Sequence, residues 1–153
     1  MHHRALQSGA IDIAFTRPVQ PSDVPSLRSE HYRSEPLHAV MLNSHPLAKK
    51  RSIFIRELAN ERFILNERNH SPFAFDRLIT LCAEAGFSPR IGATATNAAG
   101  VVPLVEAGEG VAVLAHGWRG SEVVFVPLAD RMAFLDLVIA WAPQYEWHPY
   151  AAV

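Results

Sequence analysis

Residues 101–115, VVPLVEAGEGVAVLA, constrain the chain most, because they join a helix to a buried strand through Gly-x-Gly. Ala107 closes the helix, and Gly108 stands where the residue after a helix end turns left-handed. Residues 110–114 then form an apolar, β-branched run. A Gly-x-Gly pair raises the question of a dinucleotide site. That fingerprint runs strand, glycines, helix, so that a helix N-terminus meets the pyrophosphate. Here the order is helix, glycines, strand. The glycines are turn chemistry, and phosphate binding is not expected at them.

The same alternation continues on the N-terminal side. Arg62–Asn66 (RFILN) reads as a buried strand, followed by the loop Glu67-Arg68-Asn69-His70. Ser71-Pro72 then has the form of an N-cap serine with proline at the first helical position. Phe75, Leu78, Ile79 and Cys82 recur at i, i+3, i+4 and i+7, one apolar stripe of a helix that Gly86 stops. Arg90–Ala95 reads as the next strand, and Thr96-Asn97 caps the helix leading to Gly108. Pro103 inside that helix predicts a kink or a late start.

Residues 36–42 (PLHAVML) read as a strand, 43–46 as a turn and 53–59 as a short helix or turn. Strands are expected at 11–15, 122–127 and 133–141, and a helix from about Trp147. Three prolines make 18–26 a loop, whereas 27–33 is polar and carries no clear period. Strand and helix thus alternate over 36–114. The expectation is an α/β fold, a mainly parallel sheet with right-handed crossovers and helices on both faces.

Bulk properties narrow the function. Lys plus Arg number 14 against 15 Asp plus Glu, so no basic surplus marks the chain itself as a nucleic-acid binder. With 49% apolar and 19% charged residues, the balance is globular. The single cysteine, Cys82, excludes an internal disulfide and fits a reducing compartment. No run approaches the roughly 18 apolar residues of a membrane span. The opening Met-His-His-Arg leads to no apolar signal stretch. A cytoplasmic domain with no membrane partner is expected.

Ligands of open α/β sheets sit beyond the carboxyl ends of the strands. Two strands here end directly at helix starts, at Asn66 before Ser71 and at Ala95 before Thr96-Asn97. Parallel strands place both helix N-termini on one edge, where open N–H groups and the dipoles favour an anion. Arg68 and His70 add cationic or hydrogen-bonding character, and plain capping accounts for part of what Asn66, Ser71, Thr96 and Asn97 do. Taken alone, Arg17 after the first strand is a solvated arginine. His38 and His45 lie too far from any cysteine or carboxylate partner to suggest a metal set. Cys82 lies on the apolar stripe as a buried thiol. There is no His-x-x-x-His, Cys-x-x-Cys or Gly-x-Ser-x-Gly spacing. No metal, cofactor or nucleophile–base pair is expected, and an α/β hydrolase or transferase ranks below a binding module.

Several blocks together carry a family likeness. Ser8-Gly9-Ala10-Ile11-Asp12-Ile13-Ala14-Phe15 resembles the first-lobe strand of LysR-type transcriptional regulators. Ser44-His45-Pro46-Leu47-Ala48, Glu57-Leu58-Ala59, Ala85-Gly86-Phe87-Ser88-Pro89 and the Leu104 to Ala112 run resemble that family's later blocks, in order and at the right spacing. The resemblance implies the effector-binding domain, a two-lobed fold similar to periplasmic binding proteins. Residues 35–118 would be a complete second lobe, with 1–22 and 128–153 as parts of a first lobe. Residues 23–34 and 119–127 would be the crossovers. The family's N-terminal helix-turn-helix, through which it meets DNA, and the opening elements of the first lobe have no counterpart in the chain. Ala115-His116 also stands where Leu-Pro is usual.

The resemblance further implies a cleft between the lobes and a small carboxylate effector, aromatic in view of Phe73. Arg17 would hold the carboxylate, opposite a wall made by Asn69, His70, Ser71, Phe73, Thr96 and Asn97. Homodimers or homotetramers are implied as well. Against this stands a truncated regulator fragment that binds little.

Overall fold

The computed structural model describes residues 13–16, 28–115 and 122–141. In chain order these form β1 (Ile13–Thr16), β2 (Arg28–Pro36), β3 (His38–Leu42), a 3-10 turn (Ile55–Leu58), β4 (Arg62–Asn66) and α1 (Pro72–Glu84). Then follow β5 (Arg90–Ala95), α2 (Ala98–Glu106), β6 (Ala112–Leu114), β7 (Val123–Pro127) and β8 (Phe134–Trp141). The chain divides into two compact units, one of residues 1–34 and 136–153 and the other of residues 35–135.

In the larger unit, β4 and β5 pair in parallel from Arg62↔Arg90 to Asn66↔Ala95, with an irregularity after Phe63. Phe63 bridges Val111 in parallel, and Ile64 N–H donates to Val111 O at 2.8 Å. That bridge sets the start of β6 beside β4. β6 and β7 both pair antiparallel with β3. The strands therefore run in the order β5, β4, β6, β3, β7, with only β3 opposed to the rest. The mainly parallel direction expected from the alternation holds for the other four. β3 departs from it because the 3-10 turn after it, and not a crossover helix, returns the chain.

Alternate residues of each strand face opposite ways, and the two faces carry different helices. Ala39, Met41, Phe63, Leu65, Val111 and Val126 bury against Leu78, Leu81 and Cys82 of α1 and against Ile55 and Leu58 of the 3-10 turn. Val40, Ile64, Ala112, Leu114 and Val123 bury against Val101, Val102 and Val105 of α2. Ile79, expected on the α1 stripe, stands 36% exposed, and Leu81 takes the inward position. α2 starts at Ala98 without the late start expected at Pro103. Ala99, whose carbonyl loses its partner at Pro103, is itself exposed to solvent. Past α2, Gly108 has φ +83, the left-handed turn read from the sequence.

Residues 122–135 belong to this unit, and not to the return crossover at 119–127 or to a first-lobe segment from 128. The reason is pairing. All five residues of β7 lie opposite β3, and Leu37 N–H donates to Ala133 O at 2.9 Å.

In the smaller unit, β1 pairs antiparallel with β8 from Ile13↔Trp141 to Thr16↔Val138, and β8 also neighbours β2. β2 covers most of the polar stretch at 27–33 that showed no period. Glu30 to Ser34 are all exposed, so no buried face imprints an alternation on that part of the strand. Arg17, the proline loop at 18–26 and the helix expected from Trp147 lie outside the described residues.

Candidate functional site

The in-register end of β4 and β5 sets the position of everything at the candidate edge. Beyond Asn66↔Ala95, Glu67 N–H continues the ladder to Ala95 O at 2.9 Å. The chain then turns through two bonds to Glu67 O, from His70 N–H at 3.0 Å and Ser71 N–H at 3.1 Å. α1 begins there, and its first i→i−4 bond runs from Phe75 N–H to Ser71 O at 3.0 Å.

The two helix starts differ. Asn97 caps α2, its Oδ1 accepting from Gly100 N–H at 2.9 Å. Ser71 stands at the equivalent position of α1 but makes no side-chain cap bond. Pro72 has no N–H, so the first-turn donors of α1 are Phe73 and Ala74, which precede the first intrahelical bond. Thr96 is exposed beside Asn97. Of the paired helix starts expected from the sequence, α1 is the open one.

Charge at this edge is compensated. Arg68 grips Asp76 through a two-pronged contact, Nε to Oδ1 at 3.0 Å and Nη2 to Oδ2 at 2.9 Å. His70 Nε2 lies 3.4 Å from Glu67 Oε2. The cationic or hydrogen-bonding character expected of Arg68 and His70 is thus turned toward carboxylates. Asp76, one turn into α1, is the residue that sequence reasoning missed, because Arg68 was read with its loop and not with the helix it folds back upon. Asn69 and His70 are exposed, and Phe73 is half-buried against the α1-side core.

A cleft of about 30 Å³ opens beside the α1 start, lined by Asn66, Leu37, Phe75, Leu78, Val101 and Leu114 among others. Within it the polar group is Asn66, whose Oδ1 is buried and has no hydrogen-bond partner among the described residues. Buried His38 Nδ1 is in the same condition, its ring set edge-on to Phe125 with centroids 6.4 Å apart.

Two other readings resolve here. Cys82 is fully buried, and burial first, then Asp130, push its thiol up to about 12, which leaves no thiolate for chemistry. His45 does have a carboxylate partner, contrary to the sequence expectation. Its Nε2 meets Glu61, while Leu47 N–H donates to its Nδ1 at 3.1 Å. Because Nδ1 accepts, Nε2 carries the proton and donates to Glu61. The histidine pins a turn. Among the described residues no group of three His, Cys, Asp or Glu is placed to hold a metal.

A family model, the LysR substrate binding domain, matches residues 2–153. The chain belongs to that family. It is 32% identical to the HTH-type transcriptional regulator TtuA of Agrobacterium vitis over 90% of the chain and 47% of that protein. To the HTH-type transcriptional regulator CatR of Pseudomonas putida it is 31% identical, over 89% of the chain and 47% of the relative. The chain thus spans about half the length of the curated relatives it matches.

The fold agrees. A LysR family regulator from Pseudomonas aeruginosa superposes with a TM-score of 0.81 at 23% identity, covering 97% of this chain and 52% of that one. The BenM effector binding domain with its effector benzoate gives 0.77 at 23% identity, covering 93% and 65%. The LysR likeness and the periplasmic-binding-protein-like α/β fold expected from the sequence are both borne out. The family is regulatory and not enzymatic, which removes the hydrolase or transferase reading. Among the described residues no helix is long and apolar enough to cross a membrane.

Proposed function

We propose that this domain binds a small carboxylate effector, aromatic in character, with the carboxylate at the start of α1 and the apolar body toward the adjoining cleft. The observation that carries the reading is the uncapped N-terminus of α1 beside a cleft lined by Phe75, Leu78 and Val101. Anions are favoured where first-turn N–H groups lack intrahelical partners, and the helix dipole adds to the attraction. Asn66, Ser71 and Phe73 are the site residues this supports best. Asn97 serves α2 as its cap, and Thr96, Asn69 and His70 are exposed contacts around the edge. Arg17 joins the site on the strength of the family likeness. The benzoate bound by BenM is a ligand of the proposed class.

In the longer regulators that the chain resembles, this event would act on DNA through a helix-turn-helix elsewhere in the protein. It would do so in the cytoplasm, within a homodimer or homotetramer. An effector changes such an assembly only by binding one of its states more tightly than the other.

A thermal-shift series with aromatic and aliphatic acids tests the reading. Aromatic acids raise the melting temperature in a concentration-dependent way, as ligands of the folded state must. Arg17→Ala weakens the shift. Equal shifts in wild type and Arg17→Ala remove Arg17 from the site, and no shift with any acid contradicts the proposal.

A further inference from the structure

Asn66 ends β4 and lines the cleft, and its Oδ1 is buried without a hydrogen-bond partner among the described residues. An amide oxygen only accepts, so what it lacks is a donor. No other side chain in the lining supplies one. Leu37, Phe75, Leu78, Val101 and Leu114 have hydrocarbon side chains. A buried acceptor left unmet carries its full desolvation cost, so a ligand that brings a donor to this spot gains what the free domain forgoes.

We infer that the effector carries a hydroxyl or amino group that enters this cleft, which has room for about a water-sized group, and donates to Asn66 Oδ1. This rests on the effector reading above and narrows it from aromatic acids in general to those bearing a ring hydroxyl or amine. The carboxylate and the donor then play separate parts. The open α1 start recognises charge, and Asn66 recognises substitution on the ring. Sites built to receive a particular hydrogen bond discriminate strongly against analogues without it, whereas apolar walls discriminate weakly.

The test is a two-by-two comparison by calorimetry. Benzoate and its hydroxy and amino derivatives, each ring position in turn, are titrated into the wild-type chain and into Asn66→Leu. In the wild type, at least one substituted acid binds on the order of tenfold more tightly than benzoate. In Asn66→Leu that ratio falls to about one. The ligand-free variant gives a second readout. Replacing an unmet acceptor by a hydrocarbon raises the melting temperature by roughly 2–4 °C.

A preference for the substituted acid that survives in Asn66→Leu overturns the inference. So does a lower melting temperature of that variant, which would mean that water already satisfies the amide. If benzoate binds and no derivative binds better, the inference fails and the effector reading stands. If none of the acids binds the wild type, both fail.

Discussion

Gly110 lies against the backbone of Arg62 so closely that a Cβ on it would stand 2.4 Å from the Arg62 carbonyl oxygen. The second glycine of the Gly-x-Gly is therefore a packing requirement. Val111 N–H donates to that same carbonyl at 2.8 Å, which ties β6 to β4 and so helps hold the ladder that ends at Asn66. Gly110→Ala is expected to destabilise the domain by roughly 1–3 kcal/mol, since the backbone must shift or lose this bond. Gly86, with φ +90 and nothing within 4 Å of an added Cβ, is the control. Gly86→Ala costs only about 1 kcal/mol of left-handed strain. Urea unfolding of the two variants separates these values.

The unequal helix starts predict unequal mutations. Asn97→Ala removes a formed cap and costs about 1 kcal/mol. Ser71→Ala removes none and stays within about 0.5 kcal/mol. Ser71→Asp places a carboxylate at the α1 start, so it raises the melting temperature and weakens effector binding together. A variant that is more stable and still binds acids as the wild type does would place the carboxylate elsewhere.

Asp76 sets the charge around the α1 start. Removing it in Asp76→Ala leaves the Arg68 guanidinium without its two-pronged carboxylate partner. Affinity for an acid then rises several-fold at low salt, and the gain shrinks as ionic strength rises. Stability changes by less than about 1 kcal/mol, because the pair is half-exposed or more at both ends. Calorimetry at two salt concentrations reads both effects.

Cys82 makes stability fall at alkaline pH. Its thiol is held near 12 when folded, against an ordinary value of 9.0. Between those values the unfolded chain has lost the proton and the folded chain keeps it, so unfolding releases a proton and is favoured as pH rises. The contribution is intact below pH 9 and declines progressively from 9 toward 12. Cys82→Ala is less stable at neutral pH, since it leaves a small cavity, but its stability declines less steeply over that window. Denaturant midpoints measured across that range show the difference in slope.

The elements that hold the candidate site could be read in the sequence because their signals are local. The Ser71-Pro72 start, the Gly86 stop and the short apolar run of Arg62–Asn66 give β4 and α1 the bounds seen in the structure. β2 could not be read, because Glu30 to Ser34 face solvent and carry no period. The direction of β3 depends on a connection between strands, which residue patterns do not record. The site was legible as an edge but not in its chemistry. That Asn97 caps while Ser71 does not depends on side-chain orientation, and that Arg68 is neutralised depends on the fold bringing Asp76 back to it.

The most direct measurement is a calorimetric titration of the chain with benzoate and, in parallel, with benzamide, which keeps the ring and removes the charge. Recognition of a carboxylate at the open start of α1 predicts that benzoate binds at least about tenfold more tightly, a gap of about 1.4 kcal/mol. Equal affinity for the two compounds, or binding of neither, would contradict it.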